Sequence, residues 1–388
     1  MPARQVTSFC AALALGGMLA ACDDFKPKSN AAQGAPVASV APAPQPATQA
    51  EIAAPAPGAA PTPTPADARA PLAAGPAASS DPRAAPIESS AFSAARSGPA
   101  QTPLLIKVEV LLDRAHFSPG VIDGRGGANL KRALAAFEQA HGLAADGNLN
   151  QADVDALTAD DKAPITQDYV ITPDDEKGPF IGALPSGFVA QAKLDHLGYL
   201  SPLQEMAERF HMDPALIKSL NPGADFTVTG TRIVVVRPAS GGLAAPVARI
   251  EVDKTANQLR ALDVGGKILA VFPATVGSTE RPAPSGQWAV KSVTTNPNYV
   301  YDPSRLTFGP AEKGKLTIQP GPNNPVGTTW IALTKETYGI HGSPDPTRVG
   351  KTASHGCVRL TNWDAATLGR SVKKGVPVIF VGVEKTAA

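Results

Sequence analysis

Between Lys26 and about Gln101 the chain is Ala, Pro, Ser, Thr and Gly with few large apolar residues. Such a stretch cannot bury enough apolar surface to offset the entropy of ordering its backbone. It predicts a disordered, partly extended linker over 22–102, with a root-mean-square reach of roughly 50 Å. A leash with a mechanical role and low-complexity sequence without one both fit this composition. Folded structure is thereby confined to about Leu104–Lys385, long enough for two or three domains.

Ahead of the linker, Arg4 precedes an apolar run from Val6 to Leu19, and Leu19-Ala20-Ala21-Cys22 follows. A basic start, a short apolar core and small residues at its end are the anatomy of a secretory signal, expected here over 1–21. The run is too short for a comfortable membrane span. Leu-Ala-Ala-Cys resembles the bacterial lipobox, which implies cleavage before Cys22 and its lipidation. An ordinary signal peptide is the alternative. Cys10 would leave with the signal, so the mature chain would keep Cys22, acylated, and Cys357. A single free thiol in an exported protein points to reactivity. Asp23 resembles the inner-membrane retention signal of enterobacterial lipoproteins. The expectation is a periplasmic chain, lipid-anchored to a bacterial membrane, with the inner one favoured.

The segment His341-Gly342, a loop, then Ser354-His355-Gly356-Cys357-Val358-Arg359 carries the chemistry. A nucleophilic thiol needs a base, backbone freedom for close approach, and N–H groups to hold an oxyanion. Cys357 can be the thiol, His341 the base, and Gly342 and Gly356 the tight turns. A buried inert thiol is the bland reading. The whole pattern, including Val349-Gly350, resembles the signature of the L,D-transpeptidases with a YkuD-type domain. That resemblance implies Cys357 as acyl-accepting nucleophile and His341 as base, its ring fixed by a backbone carbonyl and not by an acid such as Asp345. His355 and Gly356 would complete the catalytic set, while Arg359, Ser354 and Gly342 would shape the substrate pocket. Arg359 can bind a substrate carboxylate or anchor the loop.

By the same resemblance, the substrate is a peptidoglycan stem tetrapeptide, cut between the L-centre of diaminopimelate and D-Ala. An amine acceptor then takes the acyl group. Two other enzyme outcomes stay open: an L,D-carboxypeptidase, or an enzyme attaching or releasing a wall protein. A non-catalytic peptidoglycan-binding tether is the alternative of another class. The near-neutral formal charge of +1 argues against a nucleic-acid partner. No HExxH, CxxC or Asp-x-Asp-x-Asp spacing occurs, so neither metal nor cofactor is expected. His116, His141, His196 and His211 read as structural or surface residues.

Two smaller units precede the catalytic one. Over 103–160, apolar residues at helical spacing (Leu130, Ala133, Leu134, Phe137) alternate with turn signals at 119–124 and 142–147. This order resembles a three-helix peptidoglycan-binding domain, which implies glycan or stem peptide as partner. Over 190–238, two short helices opened by Ser201-Pro202 and Asp213-Pro214 lead through Leu220-Asn221-Pro222 to a strand at Gly230–Val236. That order resembles an α+β LysM module, though no first strand stands just upstream of Leu197. Saccharide binding and a purely structural lobe both remain open for it. Over 246–384, alternating strands at 247–253, 258–264, 267–276, 328–333, 337–340 and 376–383 predict a mainly-β domain. Asn362 is expected to cap one helix after the nucleophile.

Overall fold

A computed structural model of the chain describes residues 77–93, 101–278, 282–304, 314–354 and 356–383. The expected signal 1–21, Cys22, Asp23, most of the linker and His355 lie outside these residues.

Disorder does not hold for residues 77–93 of the linker. Helix α1 (Ala85–Glu88) buries Ile87 against the first helical unit. The Glu88 carboxylate accepts hydrogen bonds from the N–H groups of Ile165 (3.2 Å) and Thr166 (2.7 Å). Lys107 Nζ donates to the carbonyls of Glu88 and Ser90. One apolar side chain and one carboxylate dock a segment whose average composition hides them.

The first unit is helical as expected: α2 (Pro103–Arg114), α3 (Ala128–His141) and α4 (Gln151–Asp160). Thr102 caps α2 by accepting from the Leu105 N–H, and Pro103 occupies the first helical position. Asn150 and Asp153 form a capping box on α4. Leu112, Leu134 and Phe137 fill the core between the helices. Buried Glu109 closes the Ile122-Asp123-Gly124 turn by accepting from the Asp123 and Gly124 N–H groups.

The second unit starts earlier than the expected residue 190. Strand β1 (Thr166–Val170) pairs antiparallel with β2 (Arg232–Val236), with Tyr169 opposite Ile233. Between them lie α5 (Pro173–Lys177), α6 (Phe188–Gln191), α7 (Pro202–Arg209) and α8 (Pro214–Leu220). The missing first strand is short, and an insert over 171–201 separates it from the two longer helices, so no local signal tied it to them. Asn221 locks α8 to β2: its Nδ2 donates to the carbonyls of Ile217 and Val234, and its Oδ1 accepts from the Val234 N–H.

The third unit comprises β3 (Arg249–Asp253), β4 (Gln258–Leu262), β5 (Ile268–Pro273), β6 (Thr275–Val276), β7 (Gly286–Thr295), β8 (Tyr299–Tyr301), β9 (Leu316–Ile318), β10 (Thr329–Leu333), β11 (Gly339–His341), β12 (Val358–Arg359), α9 (Asn362–Ser371) and β13 (Pro377–Val381). Among the described residues, nine strands form one mixed sheet in the order β5-β4-β3-β13-β7-β10-β11-β12-β6, and β8 and β9 pair separately. The pairs β3–β13 and β11–β12 are parallel. Strand β7 was not expected, because 284–288 reads as a turn and residues 291–295 are exposed, without apolar alternation. The cap of α9 is Thr361, whose Oγ1 accepts from the Asp364 N–H at 3.1 Å. The Asn362 amide is spent on Glu208, Pro322 and Thr328 instead.

The helical unit docks on the sheet edge. Phe117 bridges Val271 of β5, flanked by hydrogen bonds from the Ser118 N–H to the Val271 carbonyl and from the Val271 N–H to the His116 carbonyl, each 2.8 Å.

Candidate active site

Strand pairing brings the site together. On β11, His341 lies opposite Trp330 of β10 on one side and Arg359 of β12 on the other. The Trp330 indole stacks on the His341 ring, centroids 5.6 Å apart and planes 25° apart. The loop from Gly342 passes through a single 3₁₀ turn, Pro346–Arg348, and returns to Cys357 just before β12.

His341 is 5% exposed and Cys357 3% exposed, and both line a cleft of about 480 Å³. His341 Nδ1 lies 2.7 Å from the Gly342 carbonyl oxygen. That acceptor places the proton on Nδ1 and leaves Nε2 as the basic nitrogen. The Cys357 thiol donates weakly to the Thr337 carbonyl at 3.8 Å. Ser354 serves the turn: its Oγ donates to the Cys357 carbonyl at 2.7 Å and accepts from the Gly356 N–H at 3.3 Å. Gly342 packs against Asn362, whose Oδ1 would lie 2.1 Å from a Cβ there, so a side chain at 342 would displace the carbonyl that holds the imidazole.

Burial pushes the Cys357 thiol up to about 12, while the Gly339 N–H and the Arg359 charge pull it back. Burial also pushes His341 down to about 3, helped by Arg359 and opposed by the Gly342 carbonyl. The resting pair is therefore a neutral thiol and a neutral imidazole. Arg359 is half-buried in the cleft wall. Burial lowers its own pKa, and Cys357 and Asp345 oppose that.

Residues with no local signal also line the cleft. Trp330 comes from the large sheet and Tyr299 from the separate β8–β9 pair, and Leu184, Phe188 and Gln191 come from the insert of the second unit. Phe188 packs on Tyr299 and Tyr301, centroids 5.5 and 5.2 Å away. The Leu197 N–H donates to the Pro320 carbonyl at 2.8 Å, stitching the insert to the third unit. His116, His141, His196 and His211 are not among the lining residues. His211 Nδ1 sits 3.1 Å from an Asp113 oxygen and its ring stacks on Trp363, and His141 stacks on Phe137.

Residues 247–380 match the YkuD family model, an L,D-transpeptidase catalytic domain, and residues 101–157 match a "Putative peptidoglycan binding domain". "Putative L,D-transpeptidase YkuD" of Bacillus subtilis (strain 168) is 25% identical over 176 residues, 45% of this chain and 91% of that protein. "Putative L,D-transpeptidase YqjB" of the same organism is 30% identical over 135 residues, 33% of this chain and 68% of that protein. The chain belongs to the L,D-transpeptidase family. Among solved structures, "L,D-transpeptidase from Mycobacterium smegmatis" is 24% identical across 40% of this chain and 64% of that one. Its TM-score is 0.29. This L,D-transpeptidase therefore joins a mainly-β catalytic domain to a helical peptidoglycan-binding domain, and its partner is peptidoglycan.

Proposed function

We propose that this L,D-transpeptidase uses Cys357 as nucleophile and His341 as base in a two-step acyl transfer. Nε2 of His341 takes the thiol proton as sulfur attacks the amide carbonyl between the L-centre of diaminopimelate and D-Ala in a stem tetrapeptide. The C–N bond breaks, the proton passes to the departing D-Ala amine, and a thioester remains. An acceptor amine then attacks the thioester and releases the thiol. N–H groups near Gly356 and Cys357 hold the oxyanion, and His355 joins this set. The neutral resting pair means that proton transfer accompanies attack and does not precede it. Water exclusion by the insert protects the thioester from hydrolysis. Arg359 serves the thiolate and the substrate carboxylate, and Ser354 and Gly342 hold the geometry of thiol and base.

The observation that carries this reading is the Nδ1 contact to the Gly342 carbonyl, which leaves Nε2 basic in the same cleft as the thiol. Incubation of the protein with purified disaccharide-tetrapeptides, followed by mass spectrometry, tests it. Cross-linked dimers are expected. Tripeptides alone would point to an L,D-carboxypeptidase.

The second unit is read as LysM-like and glycan-contacting on its β–αα–β order. The chain is read as a lipoprotein anchored through Cys22 in the periplasm on its signal-like start. Cys22→Ser is expected to move it from the membrane fraction to the soluble periplasm. Retention in the membrane would refute the anchor.

A further inference from the structure

The loop between His341 and Cys357 is gripped at its midpoint by the peptidoglycan-binding domain. Asn129 Nδ2, on α3, donates to the Val349 carbonyl at 2.9 Å. Arg132 Nη2, one turn on, donates to the Gly350 carbonyl at 2.9 Å and to Asn129 Oδ1. Asn129 is 7% exposed, and burial alone lowers the Arg132 pKa. A cation withdrawn from water and held by carbonyls in place of a carboxylate contributes geometry more than charge pairing. Gly350 makes the approach possible: its φ is +71°, and a Cβ there would sit 2.6 Å from Asn129 Oδ1.

The rest of the loop is pinned from the catalytic sheet. The Gly350 N–H donates to Thr275 Oγ1 and the Ser354 N–H to the Gly277 carbonyl, each 2.9 Å. Helix α3 is itself fixed there, because Gln258 Nε2 of β4 donates to the Arg132 carbonyl at 3.1 Å. The two buried carbonyls at 349–350 thus find their donors on another domain, and those donors bind whatever side chains the loop carries. A thiol must meet a carbonyl within a fraction of an ångström, and a 1 Å error costs about 10²-fold in rate.

We propose that Asn129 and Arg132 are positioning residues for acyl transfer: by holding the Val349 and Gly350 carbonyls they set the path of the loop that delivers Cys357. The inference rests on Cys357 being the nucleophile. It gives the peptidoglycan-binding domain a second role, as a structural part of the active site.

The test uses the full chain with Asn129→Asp, which keeps the shape but removes the donor facing Val349, and with Arg132→Ala and Arg132→Lys. Acylation of Cys357 by a carbapenem is followed by intact mass. The end point counts competent sites and the rate reports their geometry. Steady-state kcat and KM are measured on a stem tetrapeptide. Asn129→Asp and Arg132→Ala are expected to lower the acylation rate and kcat about 10- to 100-fold, with KM nearly unchanged and the end point complete. Arg132→Lys, which keeps one donor for Gly350, is expected to recover part of the loss. Variants that acylate fully at the wild-type rate would overturn the proposal. So would a loss confined to the end point or the unfolding temperature, since that marks ordinary domain packing. Should the wild-type protein neither acylate nor cross-link, the nucleophile assignment itself falls, and this inference with it.

Discussion

His341 and Arg359 stand directly opposite one another on the adjacent parallel strands β11 and β12. Backbone pairing, not side-chain packing, fixes a permanent positive charge beside the imidazole and near the thiol. That charge acts in opposite directions on the pair. It favours the Cys357 thiolate and disfavours a charged His341.

Replacing Arg359 by Gln therefore predicts two shifts of opposite consequence. The thiol loses its nearby cation, so its pKa rises further and alkylation by iodoacetamide at fixed pH slows several-fold. The imidazole loses a repelling neighbour, so its pKa moves up toward the ordinary histidine value. Both are read from the pH dependence of alkylation, followed by intact mass. Unchanged alkylation across pH 6–10 would show that Arg359 is electrostatically remote from the sulfur.

His341 stays neutral in the free protein far below the usual histidine range, because burial holds its pKa near 3. The acid limb of kcat/KM, which reports the free enzyme, is therefore not expected between pH 6 and 7. His341→Ala is expected to lower the rate by about 10²-fold or more. His355→Ala should cost less. A larger loss at His355 would reverse the two assignments.

Asp364 links stability to pH. It is buried at the start of α9, where Ser118 Oγ donates to its Oδ2 at 3.0 Å. Burial, with Asp113 adding to it and Thr361, His211 and Ser118 opposing, raises its pKa from 3.8 to about 7. The unfolded carboxyl ionises above 3.8 while the folded one keeps its proton. The stability this gives is full below about pH 4 and is lost as pH rises to about 7, an effect of up to about 4 kcal/mol. Asp364→Asn removes the titration. The urea midpoint of the variant relative to wild type should therefore rise between pH 4 and 8. Parallel curves would show that Asp364 ionises normally in the folded state.

The parts of the site legible in the sequence are those that are local. His341 and Cys357 belong to one short segment whose residue types are chemically constrained, and the helices of the first unit follow from apolar spacing and turn signals. The rest depends on contacts without local trace. Asn129 meets Val349 across 220 positions. Phe188 and Gln191 reach the cleft from an insert in a different unit. Strand β1 was hidden because its partner β2 lies beyond a whole helical pair. Strand β7 carries polar, exposed residues through half its length, so it lacks the alternation that marks a half-buried strand. In the linker, composition described the average and missed Ile87 and Glu88, which dock α1.

The role of Cys357 is tested by cross-linking of purified disaccharide-tetrapeptides by wild-type protein and by Cys357→Ala, quantified by mass spectrometry. Wild-type protein is expected to give dimers joined through diaminopimelate with loss of D-Ala. None is expected with the variant, whose unfolding temperature should stay within a few degrees of wild type. Cross-linking by Cys357→Ala at the wild-type rate would contradict that role.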